Sequence, residues 1–311
     1  MAEVLKRTMQ IDAKADRTIT GNDARAWLLS MMPVTERRLD LAGIPTAVLE
    51  GGDGPPLVLL HGPGEYAAKW FPIVPQLVRS NRIVVPDLPG HGASVVPGGA
   101  VGRDRVLDWL GGLLDATCPS LPVVVAQILG GAIAARFAAG HSERLSRLVL
   151  VDTFGLVPFH PAPEFGRALN EFLADPNANT HDGLWRYCAF DLGRLRGRMG
   201  DGWDRIKAYN LDRACTASLH ATQQSLMEQF AMPAIPRAEL DRIAVPTTLI
   251  WGRHDLATPL SVAEAASKRF GWPLHVIEDA ADDPPIEQPE AFLKSLDAAL
   301  GRSPAQKGAS Q

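Results

Sequence analysis

The sequence predicts an α/β fold in which helices cover both faces of a mostly parallel sheet and a helical segment is inserted above one edge of it. Short continuous apolar runs alternate with stretches of helical periodicity, which is typical of strands that are buried on both faces. The alternation stops between about residues 155 and 240 and then resumes. The length of 311 residues suits one domain of this kind with an insertion.

The elements follow in order along the chain. Residues 1–35 are predicted to be a helical extension, with a short helix that Asn22 or Asp23 caps and that runs through Leu29 and Met32. Residues 38–41 and 45–49 form a hairpin that turns at Gly43. In the first part of the core, residues 36–154, buried strands are predicted at 56–60, 82–85, 122–126 and 145–151. Helices are predicted at 67–79, at 101–117 and from the third of these strands to about residue 139.

The segment from 155 to 240 is predicted to be a helical cap over the carboxyl ends of the strands, where ligands bind in such sheets. The second part of the core, residues 241–300, contains strands at 246–251 and 274–277 and helices at 261–270 and 288–300. These two strands bring the predicted sheet to eight. The polar residues 301–311 are predicted to be a disordered tail.

Composition excludes several classes of function. The net charge is −4 and no basic cluster occurs, so we expect no nucleic-acid partner. No apolar run approaches the ~18 residues that span a bilayer, and the N-terminus resembles no signal peptide, so we expect a cytoplasmic protein without a membrane partner. The sparse Cys118, Cys188 and Cys215 indicate reduced thiols. No metal-ligand spacing or cofactor motif is present, and the oligomeric state stays open.

Five blocks of sequence, in this order, resemble the α/β-hydrolase superfamily, and the capped carbon–carbon bond hydrolases, epoxide hydrolases and esterases in particular. The blocks are the loop at His61-Gly62-Pro63-Gly64, the loop at 87–94, the strand-to-helix turn at 125–135, the strand end at 251–255 and the loop at 280–290. The resemblance covers about residues 37 to 300. It implies the α/β-hydrolase fold, with an eight-stranded sheet and an inserted cap.

The turn at 125–135 resembles the nucleophile elbow, whose pattern is Gly-x-Ser-x-Gly. Here its five positions are Ala126, Gln127, Ile128, Leu129 and Gly130, so isoleucine stands at the nucleophile position. Isoleucine has no lone pair with which to attack a carbonyl. Because the elbow residue adopts positive φ, where a branched side chain is strained, we expect either a backbone outlier at Ile128 or a relaxed turn.

In the loop at 280–290, which resembles the loop that carries the catalytic histidine of the family, the histidine position is occupied by Asp282. The position of the catalytic acid still holds a carboxylate, Asp255. We expect the two carboxyl groups to lie close together, so that one of them has a raised pKa, the pair titrates as a unit and the pair can act as acid and base. The alternative is that one of them caps a loop or pairs with an arginine. We therefore assign no serine–histidine couple to this chain.

The resemblance also implies an oxyanion site, with donors from the amide of Leu129 and from the His61 loop. Pro63 has no N–H to give, which leaves Gly64 and the neighbouring Gly62. Gln127 is a buried amide that either packs or contacts a ligand. His61 is expected to hold the loop, and Glu65 either begins a helix or points into the pocket.

Three functions remain open at this stage. The first is an enzyme that acts on a small, mostly apolar carbonyl compound by non-covalent acid–base chemistry of the lyase, isomerase or cyclase type, with Asp282 as general acid or base and Asp255 as its partner. The second is an inactive protein that binds a ligand or a protein partner. The third is a hydrolase in which Asp282 activates water. The fold alone distinguishes none of them.

Overall fold

The computed structural model describes residues 19–302, and its centre is one eight-stranded sheet in the order β1-β2-β4-β3-β5-β6-β7-β8. The pairs from β4 to β8 along this order are parallel, and β2 is antiparallel to both of its neighbours, so the sheet is mostly parallel as predicted. The strands are β1 (Thr35–Leu41), β2 (Ile44–Gly51), β3 (Pro56–Leu60), β4 (Arg82–Pro86), β5 (Val123–Gln127), β6 (Arg147–Val151), β7 (Thr247–Gly252) and β8 (Leu274–Ile277).

Helices cover both faces of the sheet, and each face has its own apolar core. The α-helices are α1 (Gly21–Ser30), α2 (Val74–Leu77), α3 (Arg103–Thr117), α4 (Ile128–His141), α5 (Pro163–Ala174), α6 (Ala178–Cys188), α7 (Leu192–Met199), α8 (Asp201–Ala214), α9 (Ala217–Leu226), α10 (Arg237–Leu240), α11 (Leu260–Phe270), α12 (Pro284–Glu287) and α13 (Pro289–Ala299). Buried residues of α3, α4 and α11 pack on one face, and those of α1, α2 and α13 on the other.

Two predicted elements differ from the structure. The helix expected at 67–79 is a 3₁₀ turn, Ala67–Trp70, followed by the single turn of α2. Pro72 and Pro75 explain the break, because proline lacks an N–H and disfavours helical backbone in the residue before it. The N-cap of α1 is Thr20, whose hydroxyl accepts the N–H of Asp23 at 3.1 Å, rather than Asn22 or Asp23. Residues 1–18 of the predicted extension and 303–311 of the predicted tail lie outside the described residues.

Six α-helices, α5 to α10, and a π-helical turn, Met227–Ala231, lie between β6 and β7, in the segment predicted to be the cap. Hydrogen bonds fasten this segment to the core. Buried Arg136 of α4 donates to the carbonyl oxygens of Phe230 at 2.9 Å and Pro233 at 3.1 Å. Gln223 of α9 donates to the carbonyl of Gly90 at 3.1 Å. Among residues 19–302, no helix is both long enough and apolar enough to cross a membrane.

Candidate active site

A cavity of about 550 Å³ lies between the cap and the carboxyl ends of the strands. This volume is within the range of pockets that hold drug-sized ligands. The acidic residues of its wall and Lys69 come from the core, whereas the cap contributes mainly apolar residues together with polar ones such as His181, Asn210 and Arg213. Its wall includes Pro63, Gly64, Glu65, Tyr66, Lys69, Ile128, Phe154, Cys188, Ala257, Asp282, Asp283 and Ile286, together with Phe159, Phe165, Leu169, Phe172, Leu184 and Trp185.

The turn between β5 and α4 keeps the elbow geometry with isoleucine at its apex. Ile128 has a φ of 48°, in the left-handed region, and its side chain lines the cavity. The turn is closed against its neighbours: a Cβ added to Gly130 would lie 2.7 Å from the carbonyl oxygen of His61, and one added to Gly131 would lie 2.1 Å from Oγ1 of Thr153. The backbone outlier expected at Ile128 is therefore present.

Both ring nitrogens of His61 form hydrogen bonds that fix the loop after β3. Nε2 accepts the N–H of Leu88 at 3.0 Å, so Nδ1 is the protonated nitrogen and donates to the carbonyl of Gly62 at 2.8 Å. Burial, with the nearby His91, lowers the pKa of His61 well below its usual value. His61 is thus a neutral ring that shapes the loop, as the sequence analysis expected.

The amide of Gly62 is already engaged. Its N–H donates to the carboxylate of Glu65, and Oε2 of that carboxylate lies 2.8 Å from where a Cβ on Gly62 would stand. Glu65 therefore points into the cavity rather than serving only as a helix-start residue. Gly64, with a φ of 70°, lines the cavity, whereas Gly62 does not.

Lys69 is the centre of a buried polar cluster. Its side chain is 3% exposed, and Nζ lies 2.5 Å from Oε1 of Glu65, 3.0 Å from Oδ1 of Asp283 and 2.7 Å from Oε1 of Gln127. Burial alone would lower the pKa of Lys69, but the two carboxylates outweigh it and the pKa is raised. Burial raises the pKa of Glu65, with a further contribution from Asp283. Lys69 therefore stays charged.

Gln127 and Leu129 were expected in the pocket wall, but both are fully buried behind it. The amide of Gln127 is used within the protein: besides accepting from Lys69, it donates to the carbonyl of Asp282 at 2.8 Å and to Oδ1 of Asp283 at 3.2 Å. Leu129 lies in the first turn of α4, where backbone N–H groups have no intrahelical partner. Gln127 thus fixes the position of the Asp282 loop.

Asp282 lines the cavity beside Cys188, at the end of the loop that follows β8. Burial raises the pKa of Asp282 well above its usual value, and the charges of Asp255, Asp283, Glu287 and Glu65 raise it further. Both causes favour the protonated carboxyl group of Asp282 over its carboxylate. Burial and the same carboxyl group also raise the pKa of the Cys188 thiol well above its usual value, so Cys188 is not a thiolate nucleophile.

Asp255 does not line the cavity. It lines a surface groove between the end of the cap helix α6 and the start of α11. Its Oδ1 accepts the N–H groups of Ala257 at 2.7 Å and Thr258 at 2.9 Å, whereas its buried Oδ2 has no hydrogen-bond partner. Burial raises the pKa of Asp255 to about 7. The influence of Asp255 on the pKa of Asp282 agrees with the expected closeness of the two groups.

Sequence reasoning missed two further buried carboxyl groups. Asp152, directly after β6, accepts the N–H of Gly252 at 2.8 Å through Oδ1, and its buried Oδ2 has no partner. Burial, then the charge of Asp255, raise its pKa well above the usual value. Glu287 accepts the N–H groups of Ala281 at 2.7 Å and Phe190 at 2.6 Å, and burial raises its pKa to about 7.

The cap supplies a largely aromatic wall. Phe159, Phe165, Phe172 and Trp185 face the cavity, and Phe154 completes this wall from the core. Of the cap aromatics that the sequence singled out, Trp185 lines the cavity, whereas Tyr187 and Trp203 pack elsewhere. The imidazole of His181 also lines the cavity, but Asp182 and the amide of Asn210 occupy its nitrogens at 3.2 and 3.1 Å.

Comparison with known proteins identifies the class. A model of the α/β-hydrolase fold matches residues 55–289. The chain is 26% identical over 280 residues to a 2-hydroxy-6-oxo-6-(2'-aminophenyl)hexa-2,4-dienoic acid hydrolase of Metapseudomonas resinovorans, covering 86% of this chain and 91% of that protein. It is 32% identical over 254 residues to a pimeloyl-(acyl-carrier protein) methyl ester esterase of Aromatoleum aromaticum, covering 76% and 94%.

A solved structure agrees with these relatives. The 2-hydroxy-6-oxo-6-phenylhexa-2,4-dienoate hydrolase of a Rhodococcus species aligns with a TM-score of 0.75 and 25% identity, covering 86% of this chain and 99% of that one. The chain therefore belongs to the α/β-hydrolase fold family. Its relatives include carbon–carbon bond hydrolases and esterases, as the sequence blocks indicated.

Proposed function

We propose that this protein is an enzyme that transfers protons, without a covalent intermediate, on a small and mostly apolar carbonyl compound. Asp282 is the group that gives or takes the proton, and Asp255 is a positioning residue for it. One observation carries the proposal: the carboxyl group of Asp282, whose pKa burial raises, and the side chain of Ile128 face the same mostly apolar cavity. The chemistry is then of the lyase, isomerase or cyclase type.

The residues around the cavity argue against the covalent route of the family. Ile128 stands at the apex of the elbow and has no nucleophilic atom. Asp282 stands where the family's imidazole is expected, and the amide of Gly62 is occupied by Glu65. Ser–His catalysis needs a nucleophile and a base beside the oxyanion donors, and this cavity has neither a nucleophile at Ile128 nor an imidazole at Asp282.

A protonated Asp282 suits a carbonyl ligand. A neutral carboxylic acid in an apolar site gives its proton to a carbonyl oxygen while a water molecule takes the proton of the neighbouring C–H bond, which leaves the enol and the Asp282 carboxylate. The mostly apolar wall lowers the local dielectric constant and strengthens the hydrogen bond to the carbonyl oxygen. In the reverse direction the resulting carboxylate accepts a proton, so that the same group serves as acid and base.

The test is hydrogen exchange on a simple ketone. The protein is incubated with benzylacetone in D₂O, and NMR follows the loss of the hydrogens next to the carbonyl. We expect exchange above the buffer rate, and Asp282→Asn should slow the enzymatic part by about a hundredfold, as expected for loss of a general acid or base. Exposed Asp279→Asn, a matched control three positions away, should leave it unchanged. Equal rates in wild type and Asp282→Asn would contradict the proposal.

A second candidate is ligand binding without turnover, and the carboxylate of Glu65 on the Gly62 amide favours it. In that case benzylacetone would bind while its exchange stayed at the buffer rate. The hydrolytic alternative predicts turnover of a chromogenic ester such as p-nitrophenyl butyrate, lost in Asp282→Asn. Such turnover would replace the proposed chemistry with activation of water by Asp282.

A further inference from the structure

The inner end of the cavity holds far more acidic groups than basic ones. Glu65, Asp282 and Asp283 contribute to its wall, and three more buried carboxyl groups, which do not line the cavity, interact electrostatically with Asp282. Those three are Asp152, Asp255 and Glu287. Lys69 pairs with Glu65 and Asp283, whereas Arg213 of the cap, which also lines the cavity, pairs with Asp212. Buried carboxylates are costly without a partner, so this end of the cavity favours additional positive charge.

Lys69 cannot supply that charge to a ligand or to Asp282. An ammonium group has three donors, and those of Lys69 already meet Glu65, Asp283 and Gln127. The side chain is 3% exposed, so a ligand anion would have to displace one of these partners to reach it. Lys69 therefore neutralises its own two carboxylates and leaves Asp282 without a cation.

The surroundings of Asp282 point to a missing partner. Its side chain is 92% buried and lines the cavity, and the charged groups around it are carboxyl groups from three elements: Glu65 after β3, Asp255 after β7, and Asp283 with Glu287 at α12. Cys188 at the end of α6 lies beside it as a protonated thiol. Within residues 19–302, Asp282 forms no ion pair with lysine, arginine or histidine, and Oδ2 of both Asp152 and Asp255 is buried without any hydrogen-bond partner.

The aromatic wall is an independent feature that suits the same ligand. Phe154, Phe159, Phe165, Phe172 and Trp185 surround the space in front of Asp282. Aromatic faces attract a cation as well as hydrocarbon, because the ring quadrupole is negative at the face. The same ring faces do not attract an anion.

We propose that the cavity binds an alkyl or arylalkyl ammonium compound, with the ammonium group against Asp282 and the hydrocarbon against the aromatic wall. The proposal rests on the proposed function in one respect, that Asp282 faces the cavity as a titrating group. It names a ligand class that differs from the dienoic acid in the name of one relative, because a carboxylate at the inner end would meet mainly acidic groups and a Lys69 ammonium that already has three partners. Within the described residues, no three His, Cys, Asp or Glu side chains are arranged to hold a metal ion, so an organic cation fits better.

Proton balance makes the proposal measurable. In the free protein, burial and the surrounding carboxyl groups favour the protonated form of Asp282, and on binding the ammonium takes the place of that proton. One proton passes from the Asp282 carboxyl group to the buffer for each ligand bound, and no covalent bond to the ligand forms. Because the released proton is a product of binding, affinity rises with pH, by up to about tenfold per unit below the raised pKa of Asp282.

The experiment compares three probes of one shape: phenylbutylamine, phenylbutanol and phenylbutyrate. Calorimetry in buffers of different ionisation enthalpy, from pH 5.5 to 8, gives the affinity and the number of protons released. We expect the amine to bind at least tenfold more tightly than the alcohol at pH 8 and to release about one proton, with phenylbutyrate weakest. Asp282→Asn should remove the preference for the amine, whereas Asp279→Asn should keep it.

The wild-type pH series tests the proposal even if the Asp282 variant fails to fold. Amine binding that is pH-independent, or phenylbutyrate binding as tightly as the amine, would overturn it. The two proposals fail separately. Exchange of benzylacetone that depends on Asp282, without amine binding, would leave the proposed function standing and remove the ligand class. Amine binding with proton release, but without ketone exchange, would do the opposite.

Discussion

The elbow at Ile128 and the polar cluster around Lys69 meet at the same end of the sheet, but they are built in different ways. The elbow has strained backbone and no polar side chain at its apex, since Ile128 adopts a φ of 48° and faces the cavity with hydrocarbon. The cluster contains side chains that are costly to bury, and almost every one of its polar atoms is paired. The first region is destabilised by its strained backbone, and the second by the burial of charged side chains.

This difference shows that the shape of the elbow and the charge of the cluster depend on different interactions. The elbow shape depends on close packing, because Gly130 and Gly131 leave no room for a Cβ. It therefore persists without a hydroxyl group at its apex. The cluster depends on charge balance around Lys69, so its stability changes with pH and with single substitutions. Substitutions in the two regions should accordingly change the free energy of unfolding by different amounts and with a different dependence on pH.

The largest effect should come from Lys69→Met. Methionine keeps much of the length of the side chain but leaves the carboxylates of Glu65 and Asp283 buried without a cation, which typically costs about 3–5 kcal/mol. The loss should be greater at pH 8 than at pH 5, because the carboxyl group of Glu65, whose pKa burial raises, protonates more readily at the lower pH. Urea unfolding at both pH values measures it. Exposed Lys268→Met is the control and should stay within about 0.5 kcal/mol of wild type.

The packing of the elbow is tested by a glycine pair in one helix. Gly131→Ala should destabilise by about 2–3 kcal/mol, because its new Cβ would lie 2.1 Å from Oγ1 of Thr153. Gly140→Ala, near the exposed end of the same helix, meets nothing within 4 Å and should stabilise by about 0.5–1 kcal/mol. Thermal unfolding of both variants checks the pair. A neutral Gly131→Ala would mean that the turn is not closed against Thr153.

The backbone strain at the apex should appear in a comparison of two isoleucines. Ile133→Ala, in the buried part of α4, should cost about 2–5 kcal/mol, as large-to-small core changes do. Ile128→Ala should cost about 1–2 kcal/mol less, because losing the branched Cβ relieves strain at positive φ. Urea unfolding of the two variants measures the difference. Equal costs would show that Ile128 stores no strain.

The sequence predicted the sheet well because buried parallel strands are continuous apolar runs with clear ends. All eight strands were predicted, and the run at 274–277 has the predicted limits. The helix at 67–79 was wrong because its apolar pattern was followed past Pro72 and Pro75, whose backbone effects outweigh periodicity. Local chemistry of the chain was thus enough for most of the fold.

The site was predictable only where a motif gives the position. The positions of Ile128 and Asp282 could be predicted because two sequence blocks, at 125–135 and 280–290, match the family pattern around them. Asp152 had a usable signal, because it directly follows a buried strand beside the one that carries Asp255. Lys69 had none: its burial depends on Asp283 and Gln127, which only the folded sheet brings beside it. A sequence pattern cannot show such a pairing across distant segments.

A pH profile of Asp255 separates charge from shape within the acidic group itself. The folded pKa of about 7 lies above the unfolded value of about 3.9, so the folded protein holds this proton more tightly. The stabilisation from that proton is complete below about pH 4 and is lost as pH rises towards 7. Asp255→Asn keeps the acceptor for the N–H groups of Ala257 and Thr258 but cannot ionise. Relative to wild type it should therefore gain up to about 4 kcal/mol between pH 4 and pH 8, measured by urea unfolding across that range. Asp279→Asn controls for the loss of an exposed carboxylate. A difference between Asp255→Asn and wild type that stays constant with pH would mean that Asp255 is ionised throughout, and the acidic group would then need a cation that the described side chains do not provide.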